Sequence, residues 1–502
     1  MEYHRLCYLL GQLKKSKILV VGDLMLDRYI WGKVDRISPE APIQVFSVLR
    51  EEFRLGGAGN AIQNLLNLGA EVESVGVLGT DWAGEKILSL LKDQNVKIKG
   101  VFQEPSFPTT IKSRLIAKNQ QVLRMDRELQ EDFPSALQKQ LKEYLENIEL
   151  SSFSAIVISD YGKGVISEDM LEYIIQEGKK YGIPTLVDPK GVSYSRYRGA
   201  TVITPNQREA ERATSISVGS KRDVRKIAKK LYQELELKYT VITLGEKGIF
   251  LWDGEEEFHV QGKSRPVYDV TGAGDTVIAA LAMALASQIP IQDGIELANY
   301  IASLVVEELG AVSFTPLEIM ERARKENRGT GKLLTLQEGK LIAENLRKKG
   351  KKLVFTNGCF DLLHPGHLHL LEFASKQGDY LMVGLNSDIS IQKIKGSHRP
   401  FLNQEARVAI LSSLPMVDGI ILFDSPTPRE LVSQLLPQVL VKGEEYKNRT
   451  VIGRDIVEER GGKVIFAPRK DGFSTTQLAK EIGEKISKED IKNRVTWELE
   501  KE

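Results

Sequence analysis

Short runs of apolar and β-branched residues alternate with segments of helical periodicity along most of the chain. The clearest runs cover residues 18–21, 155–158, 185–187, 201–204, 240–244, 353–356, 380–385, 420–423 and 439–441. Most are closed by Gly, Asp or Asn, a pattern typical of parallel strands buried on both faces. With helical segments between them, they predict βαβ units and an α/β fold with open, mostly parallel sheets. Ligands of such sheets bind at the carboxyl ends of the strands.

Two stretches interrupt this alternation. Residues 101–126 read as alternating extended segments, which predicts a small β-rich flap. Residues 318–332 are charged, contain glycine and have no apolar face after Met320, which favours a linker. We therefore expect one domain over residues 1–318, a linker over 319–335 and a second domain over 336–502.

Length and composition agree with a multidomain protein. The 502 residues exceed the roughly 250–300 at which a single core stops growing. The 69 Lys and Arg residues nearly cancel the 68 Asp and Glu residues, which argues against a protein that coats nucleic acid. Two cysteines cannot form a disulfide framework in so long a chain, so a reducing compartment is expected.

Targeting and membrane signals are not evident. The N-terminal segment has no long apolar region followed by a cleavage site. The most apolar stretch, residues 277–286, has about half of the roughly 20 residues that a membrane span requires and predicts a buried helix. We expect a cytoplasmic protein, a homodimer, whose partners are small-molecule substrates rather than nucleic acid or a membrane. The sequence contains neither G-x-x-x-x-G-K-[ST] nor G-x-G-x-x-G, so the common nucleotide loops are not supported.

The most informative segment of the first half is DVTGAGD at residues 269–275. Its two glycines precede the apolar run 277–286, so backbone amides at a helix start are free to face an anion. Asp275 would lie beside that anion and accept a proton from an attacking hydroxyl. The alternative is an ordinary helix start with Asp in its first turn. Three other segments favour a site: Asp23 and Asp27 after the first strand, Gly56 to Asn60 before a helix, and Asn206 to Glu209 after a strand.

These motifs, in this order, resemble the ribokinase-like carbohydrate kinase family over about residues 15–318. The resemblance implies an αβα domain with a small β flap. It implies that Asp275 is the base, that Gly272, Ala273 and Gly274 form the anion hole, and that Asn206, Glu209 and Thr271 bind ATP, with Glu209 near Mg²⁺. Within the family, the segments GDLMLDRY (22–29), RISPEAP (36–42), NQQ (119–121), SDYGKG (159–164) and DPKG (188–191) look like those of bacterial heptose 7-phosphate kinases.

That narrower resemblance implies a set of substrate-binding residues. They are Asp23, Asp27, Gly56, Gly57, Asn60, Asn119, Gln120, Lys163 and Lys190. The basic residues Arg114, Lys118, Arg124, Lys163 and Lys190 are candidates for holding a substrate phosphate. Each basic residue taken alone is also compatible with a solvated surface charge.

In the second half, four of the six histidines lie within residues 364–398. His364-Pro365-Gly366-His367 follows TNGCFD at the end of the strand run 353–356, and two imidazoles at a helix start would form a cationic cradle for a triphosphate. A metal site with His369 and a plain surface turn are the alternatives, although neither Cys nor Glu is placed to support zinc. Cys359 beside this loop reads as a passive, packed thiol.

H-x-G-H after such a strand resembles the cytidylyltransferase-like nucleotidyltransferase family, over about residues 345–482. Further matches are Arg407 and the segments KGSHRP (395–400), VKG (441–443) and STT (474–476). The resemblance implies a Rossmann-like αβα domain in which His364 and His367 contact nucleotide phosphates and no covalent enzyme intermediate forms. It implies an ATP site made of Thr356, Asn357, Gly358, Phe360, Asp361, Lys395, Arg399, Lys442, Ser474, Thr475 and Thr476. Glu444 departs from the family, where a second glycine is expected after Gly443.

The two resemblances together imply a bifunctional enzyme. The first half would phosphorylate heptose 7-phosphate at O1 with ATP, and a separate phosphatase would remove the 7-phosphate. The second half would transfer an adenylyl group from ATP to heptose 1-phosphate, giving ADP-heptose for the lipopolysaccharide core. Two alternatives remain: a kinase for another sugar fused to a cytidylyltransferase, and a non-catalytic sugar-nucleotide sensor.

Overall fold

The computed structural model describes residues 1, 3–118, 120–129, 133–263, 265–326 and 332–468. It divides the chain into two compact units, Met1–Ile319 and Met320–Glu502. The predicted linker contains ordered structure, since the helix Pro316–Glu326 and the short strand Leu333–Leu334 both fall within or across it. Ile319, Met320 and Ala323 of that helix are buried, and this small apolar face was not recognised from the sequence. No described helix has the length and apolarity needed to cross a membrane.

Among its described residues, the first unit combines thirteen strands in two sheets with nine helices. Its strands are β1 (Lys17–Gly22), β2 (Leu24–Ile37), β3 (Gln44–Gly57), β4 (Glu71–Gly79), β5 (Lys97–Glu104), β6 (Thr110–Ala117), β7 (Gln120–Arg127), β8 (Ala155–Ser159), β9 (Thr185–Asp188), β10 (Val202–Ile203), β11 (Tyr239–Thr243), β12 (Ile249–Trp252) and β13 (Glu257–Val260). Its helices are α1 (Tyr3–Gln12), α2 (Ala58–Asn67), α3 (Trp82–Asp93), α4 (Ser135–Asn147), α5 (Glu168–Tyr181), α6 (Gln207–Thr214), α7 (Lys221–Glu234), α8 (Ala273–Ala286) and α9 (Ile291–Val305). The next helix, α10 (Pro316–Glu326), spans the boundary between the two units.

The larger sheet has nine strands in the order β13-β12-β11-β10-β9-β8-β1-β4-β5. Strand β12 pairs antiparallel with both β11 and β13, and the remaining neighbours pair in parallel. The apolar runs of β1 and β8 are buried because helices cover both faces of the sheet. Helix α8 is buried from Asp275 to Ala284, as the prediction of a buried helix requires. The carboxyl ends of β1, β8 and β9 are therefore neighbours, and polar residues follow each of them.

The flap is a second, four-stranded sheet in the order β3-β2-β6-β7. The prediction of a flap over residues 101–126 is wrong in its extent. Val101 lies in β5 of the large sheet, and only β6 and β7 of the predicted segment belong to the flap. The long strands β2 and β3 form its other half, so Asp27 lies on a flap strand rather than at the end of the first strand.

The second unit is built around one parallel sheet in the order β14-β17-β16-β15-β18-β19. Its strands are β14 (Leu333–Leu334), β15 (Leu353–Gly358), β16 (Tyr380–Asn386), β17 (Gly419–Phe423), β18 (Val439–Gly443) and β19 (Lys463–Ala467). Its helices are α11 (Leu336–Lys348), α12 (Pro365–Ser375), α13 (Asp388–Lys395), α14 (Gln404–Ser413), α15 (Arg429–Leu435) and α16 (Arg454–Glu458). Strand β15 pairs with both β16 and β18, which brings the polar carboxyl ends of three strands together. Both predicted α/β domains are thus confirmed as folds.

Candidate active sites

Asp275 lies in the first turn of α8 and is held by two hydrogen bonds. The Asn60 amide donates to Asp275 Oδ2 at 2.7 Å, and the Tyr161 hydroxyl donates to Oδ1 at 2.9 Å. Asp275 is only 5% exposed, and burial raises its pKa to about 6. A carboxylate with that pKa is ionised at neutral pH and still a stronger base than a surface aspartate, which suits general-base catalysis.

The glycine segment before Asp275 has the geometry of an anion site. Gly272 precedes α8 with φ of 82°, and a Cβ there would lie 2.6 Å from Asn60 Nδ2. Both facts require glycine at this position. Ala273 and Gly274 begin the helix, whose N-terminal end carries the positive end of the dipole, and the Ala273 amide donates to the Val270 carbonyl at 3.3 Å.

Asp269 organises the loop that carries the glycines, a role that sequence reasoning missed. Its Oδ1 accepts the Thr271 amide at 2.9 Å and the Thr271 hydroxyl at 2.7 Å. Its Oδ2 accepts the Gly310 amide at 2.9 Å. Thr271, predicted to bind ATP, therefore uses its hydroxyl proton within the loop. The signal was present, because Asp269 opens the quoted motif.

Asp23 and Asp27 are both buried beside the base, on different elements. Asp23 Oδ2 accepts the amides of Tyr161 at 2.7 Å and of Lys163 at 3.2 Å, and burial together with Asp160 raises its pKa to about 6. Its Oδ1 is buried without a hydrogen-bond partner among the described residues. Asp27 instead accepts Arg114 at 2.6 Å in a buried ion pair.

Gly56 and Gly57 shape the backbone around these carboxylates. A Cβ at Gly56 would lie 2.8 Å from Asp27 Oδ2, and one at Gly57 would lie 2.5 Å from the Asp23 carbonyl oxygen. Gly57 also has φ of 56°. The two glycines thus let β3 and α2 approach the aspartates closely, a packing reason for glycine that is independent of any substrate contact.

Lys163 and Lys190, both predicted to bind substrate, contact different carboxylates. Lys163 forms an ion pair with Glu128, whereas Lys190 contacts Glu209 at 2.8 Å. Glu209 and Asn206 form a capping box at the start of α6, each side chain binding the other's backbone amide at 3.0 Å. The N-x-x-E pattern therefore caps the start of α6, and the second carboxylate oxygen of Glu209 contacts Lys190.

Two further charged residues face this site, and neither was singled out from the sequence. Asp188 ends β9, and its pKa is raised well above the ordinary value by burial and by the charges of Asp275 and Glu209. The ammonium of Lys112, on β6, lies 4.9 Å from the centre of the Tyr161 ring. Its charge lowers the pKa of Asp275, against the effect of burial. Both residues come from strands whose proximity to α8 depends on the tertiary fold.

A cavity of about 410 Å³ opens between the flap and the glycine loop. Its lining residues are Tyr29, Arg114, Ile116, Gln120, Gln121, Tyr268, Asp269 and Leu309. Gln120, predicted to bind substrate, is among them, while Asn119 lies outside the described residues. The cavity is polar at Arg114 and the two glutamines, which suits a hydroxylated or phosphorylated ligand.

In the second unit, His364 and His367 stack at the start of α12 with ring centres 3.8 Å apart. Burial lowers the pKa of both imidazoles, and for His367, with His364 also contributing, the value falls to about 4. Both shifts favour neutral imidazoles at pH 7, whereas the sequence predicts a cationic pair. A neutral imidazole still donates one N–H, so the pair can bind phosphate by hydrogen bonds rather than by charge. His364 Nδ1 is buried without a partner in the described part of the chain.

The positive charge at this site comes from Lys442 at the end of β18. Its ammonium donates to Asn357 Oδ1 at 2.5 Å, across the carboxyl ends of β18 and β15. Burial lowers the pKa of Lys442 to about 8, so most of the side chain is charged at pH 7. Thr356 on β15 is fully buried, and its hydroxyl has no partner among the described residues. Lys395 is exposed at the end of α13, and its charge lowers the pKa of His367.

Asp361 and Arg399, predicted to bind ATP, bind each other. Arg399 donates to Asp361 Oδ2 at 2.6 Å, and the amide of Phe401 donates to Oδ1 at 2.6 Å. Asp361 is 1% exposed, so its carboxylate holds the segment after α13 and has no open face for a nucleotide. The backbone of Phe360 has a positive φ of 45°, and the ring of Phe360 packs against that of His367 with ring centres 5.1 Å apart. Gly358 lies against the Phe360 ring. Ser474, Thr475 and Thr476 lie outside the described residues.

Comparison with known proteins gives both halves a family. Residues 15–318 match the pfkB family carbohydrate kinase model, and residues 355–493 match the cytidylyltransferase-like model. The first unit also resembles a crystal structure of phosphofructokinase-2 from Escherichia coli, with a TM-score of 0.53 and 21% identity over 62% of this chain and all of that one. That likeness supports the fold alone. The folds and family matches define a carbohydrate kinase joined to a nucleotidyltransferase.

Relatives of full length make the assignment specific. The bifunctional protein HldE of Trichlorobacter lovleyi is 43% identical over 476 residues, which cover 94% of this chain and 96% of that protein. HldE of Campylobacter curvus is 44% identical over 474 residues, 93% of this chain and 98% of that protein. The chain belongs to the HldE family of bifunctional proteins. This membership confirms the interpretation of the motifs as those of a bifunctional heptose 7-phosphate kinase and heptose 1-phosphate adenylyltransferase.

Proposed function

We propose that Asp275 is the base of the kinase reaction and that the two sites act in succession on one sugar. Asp275 takes the proton from the O1 hydroxyl of heptose 7-phosphate while O1 attacks the γ-phosphorus of ATP, and ADP leaves. The amides of Gly272 to Gly274 stabilise the charge that develops on the transferred group. The observation that carries this proposal is the buried Asp275 carboxylate, clamped by Asn60 and Tyr161 directly beside those amides.

The sugar is proposed to bind from the flap side. Arg114 and Gln120 line the cavity of about 410 Å³, which supports contacts between these side chains and the phosphorylated end of the heptose. Arg114 pairs with Asp27, whose charge in turn raises the pKa of Asp275, so cavity and base belong to one site. Asp23, with one buried oxygen left open, is placed to accept a sugar hydroxyl.

Kinase and nucleotidyltransferase domains of these families use ATP with a divalent metal ion, and we propose Mg²⁺ for both. The described residues contain no cluster of three or more metal-ligating side chains. A single carboxylate such as Glu209 fits an ion that keeps most of its waters and is held mainly by ATP phosphates. Bound in this way, Mg²⁺ supplies charge neutralisation of the phosphates, and Lys190 beside Glu209 adds a fixed positive charge to the same region.

In the second unit, an oxygen of the heptose 1-phosphate attacks the α-phosphorus of ATP, and pyrophosphate leaves. His364, His367 and Lys442 hold the nucleotide phosphates, with Lys442 providing the charge and the imidazoles providing hydrogen bonds. Thr356 and Asn357 lie at the same strand end and complete the cradle. A separate phosphatase removes the 7-phosphate between the two reactions. Homodimerisation and a cytoplasmic location stay predictions.

The test uses the full chain with one variant in each site. With heptose 7-phosphate and ATP, mass spectrometry should detect the bisphosphate, and added phosphatase should allow ADP-heptose to form. D275N should lose kinase turnover and retain adenylyl transfer from heptose 1-phosphate, while H367A should show the opposite pattern. Kinase turnover unchanged in D275N would contradict the base assignment, and preference for CTP would remove the adenylyl assignment.

A further inference from the structure

Tyr161 connects the two buried carboxylates of the kinase site. It follows β8, and its hydroxyl donates to Asp275 Oδ1 at 2.9 Å while its backbone amide donates to Asp23 Oδ2 at 2.7 Å. The Lys112 ammonium lies 4.9 Å from the centre of its ring. One residue therefore sets the distance between the two aspartates and fixes the plane of the Asp275 carboxylate.

The chemistry of a phenol suits this position. Burial, and then the charge of Asp275, raise the pKa of Tyr161 well above its ordinary value, so the hydroxyl stays protonated around neutral pH. A protonated hydroxyl facing a carboxylate can only donate. Because the Asn60 amide donates to the other oxygen, each carboxylate oxygen accepts one side-chain hydrogen bond from the described residues. Each oxygen keeps a second lone pair, which is available to a substrate hydroxyl.

We propose that Tyr161 is a positioning residue of the kinase, whose hydroxyl orients Asp275 and keeps it in the ionised form that accepts the substrate proton. The proposal rests on the assignment of Asp275 as the base. A hydrogen bond to a carboxylate stabilises its charged form and not its neutral form. Without the phenol, Asp275 would be a buried carboxyl that is partly protonated near neutral pH and free to rotate about its side-chain bond.

The other charges that face Asp275 fix the direction of the effect. Burial and Asp27 on β2 raise the pKa of Asp275, and Asp188 at the end of β9 is close enough for its own pKa to respond to Asp275. Lys112 on β6 lowers the pKa of Asp275, as does the hydrogen bond from Asn60. Removing the Tyr161 hydroxyl deletes one of the three lowering contributions and none of the raising ones. The acid limb of the kinase pH profile, where activity falls because Asp275 becomes protonated, should therefore move to higher pH.

The experiment measures kinase kcat/KM and kcat against pH for wild type and Y161F, in the full chain, with heptose 7-phosphate and ATP, because the kcat/KM profile reports the pKa of Asp275 in the free enzyme. A hydrogen bond to a charged group corresponds to about one pH unit, so the acid limb of kcat/KM should rise by about that amount, and kcat/KM on that limb should fall about tenfold. Y173F is the matched control. The hydroxyl of Tyr173, on α5 of the same unit, contacts only the Leu145 carbonyl among the described residues, at 3.5 Å, and its removal should leave the limb in place. The circular dichroism spectrum and the denaturant midpoint of residual kinase activity, each compared with wild type, report whether the kinase unit of Y161F is folded.

The outcomes separate this proposal from the one on which it rests. An acid limb that stays in place in Y161F overturns the positioning role, whatever happens to kcat, because a merely structural loss would reduce activity equally at every pH. Kinase activity retained in D275N would overturn the base assignment itself. If Y161F retains no measurable kinase activity, a fluorinated tyrosine at position 161 keeps the shape and donates more strongly. It should move the limb to lower pH, and an unmoved limb overturns the proposal.

Discussion

Replacing Arg407 with glutamine should destabilise the nucleotidyltransferase unit because this side chain joins three separate segments. Arg407 lies on α14 and is 1% exposed. Its Nε donates to the Leu402 carbonyl at 3.0 Å, and Nη1 donates to the carbonyls of Cys359 and Asn386, both at 2.7 Å. Its Nη2 contacts Asp388 Oδ1 at 2.6 Å. The guanidinium thus ties the loop after β15, the end of β16 and the turn before α14.

The expected loss in free energy of unfolding is about 4 kcal/mol. Breaking a buried ion pair by removing one partner costs roughly 3–5 kcal/mol. Asp388 is 30% exposed at its side chain, so water recovers part of that cost. Three backbone carbonyls also lose a charged donor, at about 1 kcal/mol each, and a glutamine amide can replace at most part of this set.

The assay follows both activities of the full chain through a denaturant titration. Adenylyl transfer by R407Q should be lost at lower denaturant than in wild type, while the kinase midpoint stays in place, because the hydrogen-bond partners of Arg407 among the described residues all belong to the second unit. R429Q is the matched control, since Arg429 forms an exposed pair with Asp455 and its loss should cost no more than about 1 kcal/mol. Equal midpoints for R407Q and R429Q would refute the reasoning. A fully stable R407Q without adenylyl transfer would instead place Arg407 among the nucleotide contacts.

Two further predictions concern pH and backbone strain. Burial lowers the pKa of Lys442 to about 8, so its ammonium loses its charge as pH rises through that value, and the rate of adenylyl transfer should decline there. K442M should be poorly active in adenylyl transfer at every pH. A decline that begins only near the ordinary pKa of lysine would contradict this assignment. G272A should lose at least about tenfold in kinase activity, because alanine is strained at φ of 82° and its Cβ would meet Asn60. G69A, at φ of 99° in open space, measures the strain alone, and equal kinase losses in the two variants would show that contact with Asn60 is unimportant.

The strands of the parallel sheets could be predicted from the sequence, whereas the extent of the flap could not. Strands such as β1 and β8 are short and apolar throughout because both faces are covered, so composition alone identifies them. Strand β2 begins buried and ends with four residues of which three are exposed, and most of β3 is only partly buried. Their polar residues follow neither strict alternation nor a helical period, and their pairing across a turn is not a local property of the sequence.

The sequence motifs were sufficient to locate both sites, but they did not predict the hydrogen bonds within them. Asn60 and Asp275 are 215 positions apart, and Tyr161 is 114 positions from Asp275, so their hydrogen bonds depend on how β8, α2 and α8 pack. The histidine pair shows the same limit. Its spacing predicted a cationic cradle, whereas burial and mutual repulsion lower the pKa of His367 and leave it neutral. Charge state depends on desolvation, which a motif does not encode.

Hydrogen bonding separates two kinds of motif residue in this chain. The carboxylate of Asp361 accepts a hydrogen bond from Arg399, and that of Glu209 accepts the Asn206 amide at the start of α6. Both side chains therefore organise the local structure. Asp23, Thr356 and His364 instead each keep a buried polar atom without a partner among the described residues. An unsatisfied buried group costs about 1–3 kcal/mol, and because these three residues belong to the candidate sites, a ligand can complete the missing hydrogen bonds. Substitution of these three residues should therefore weaken substrate binding more than stability, and substitution of Asp361 should do the reverse.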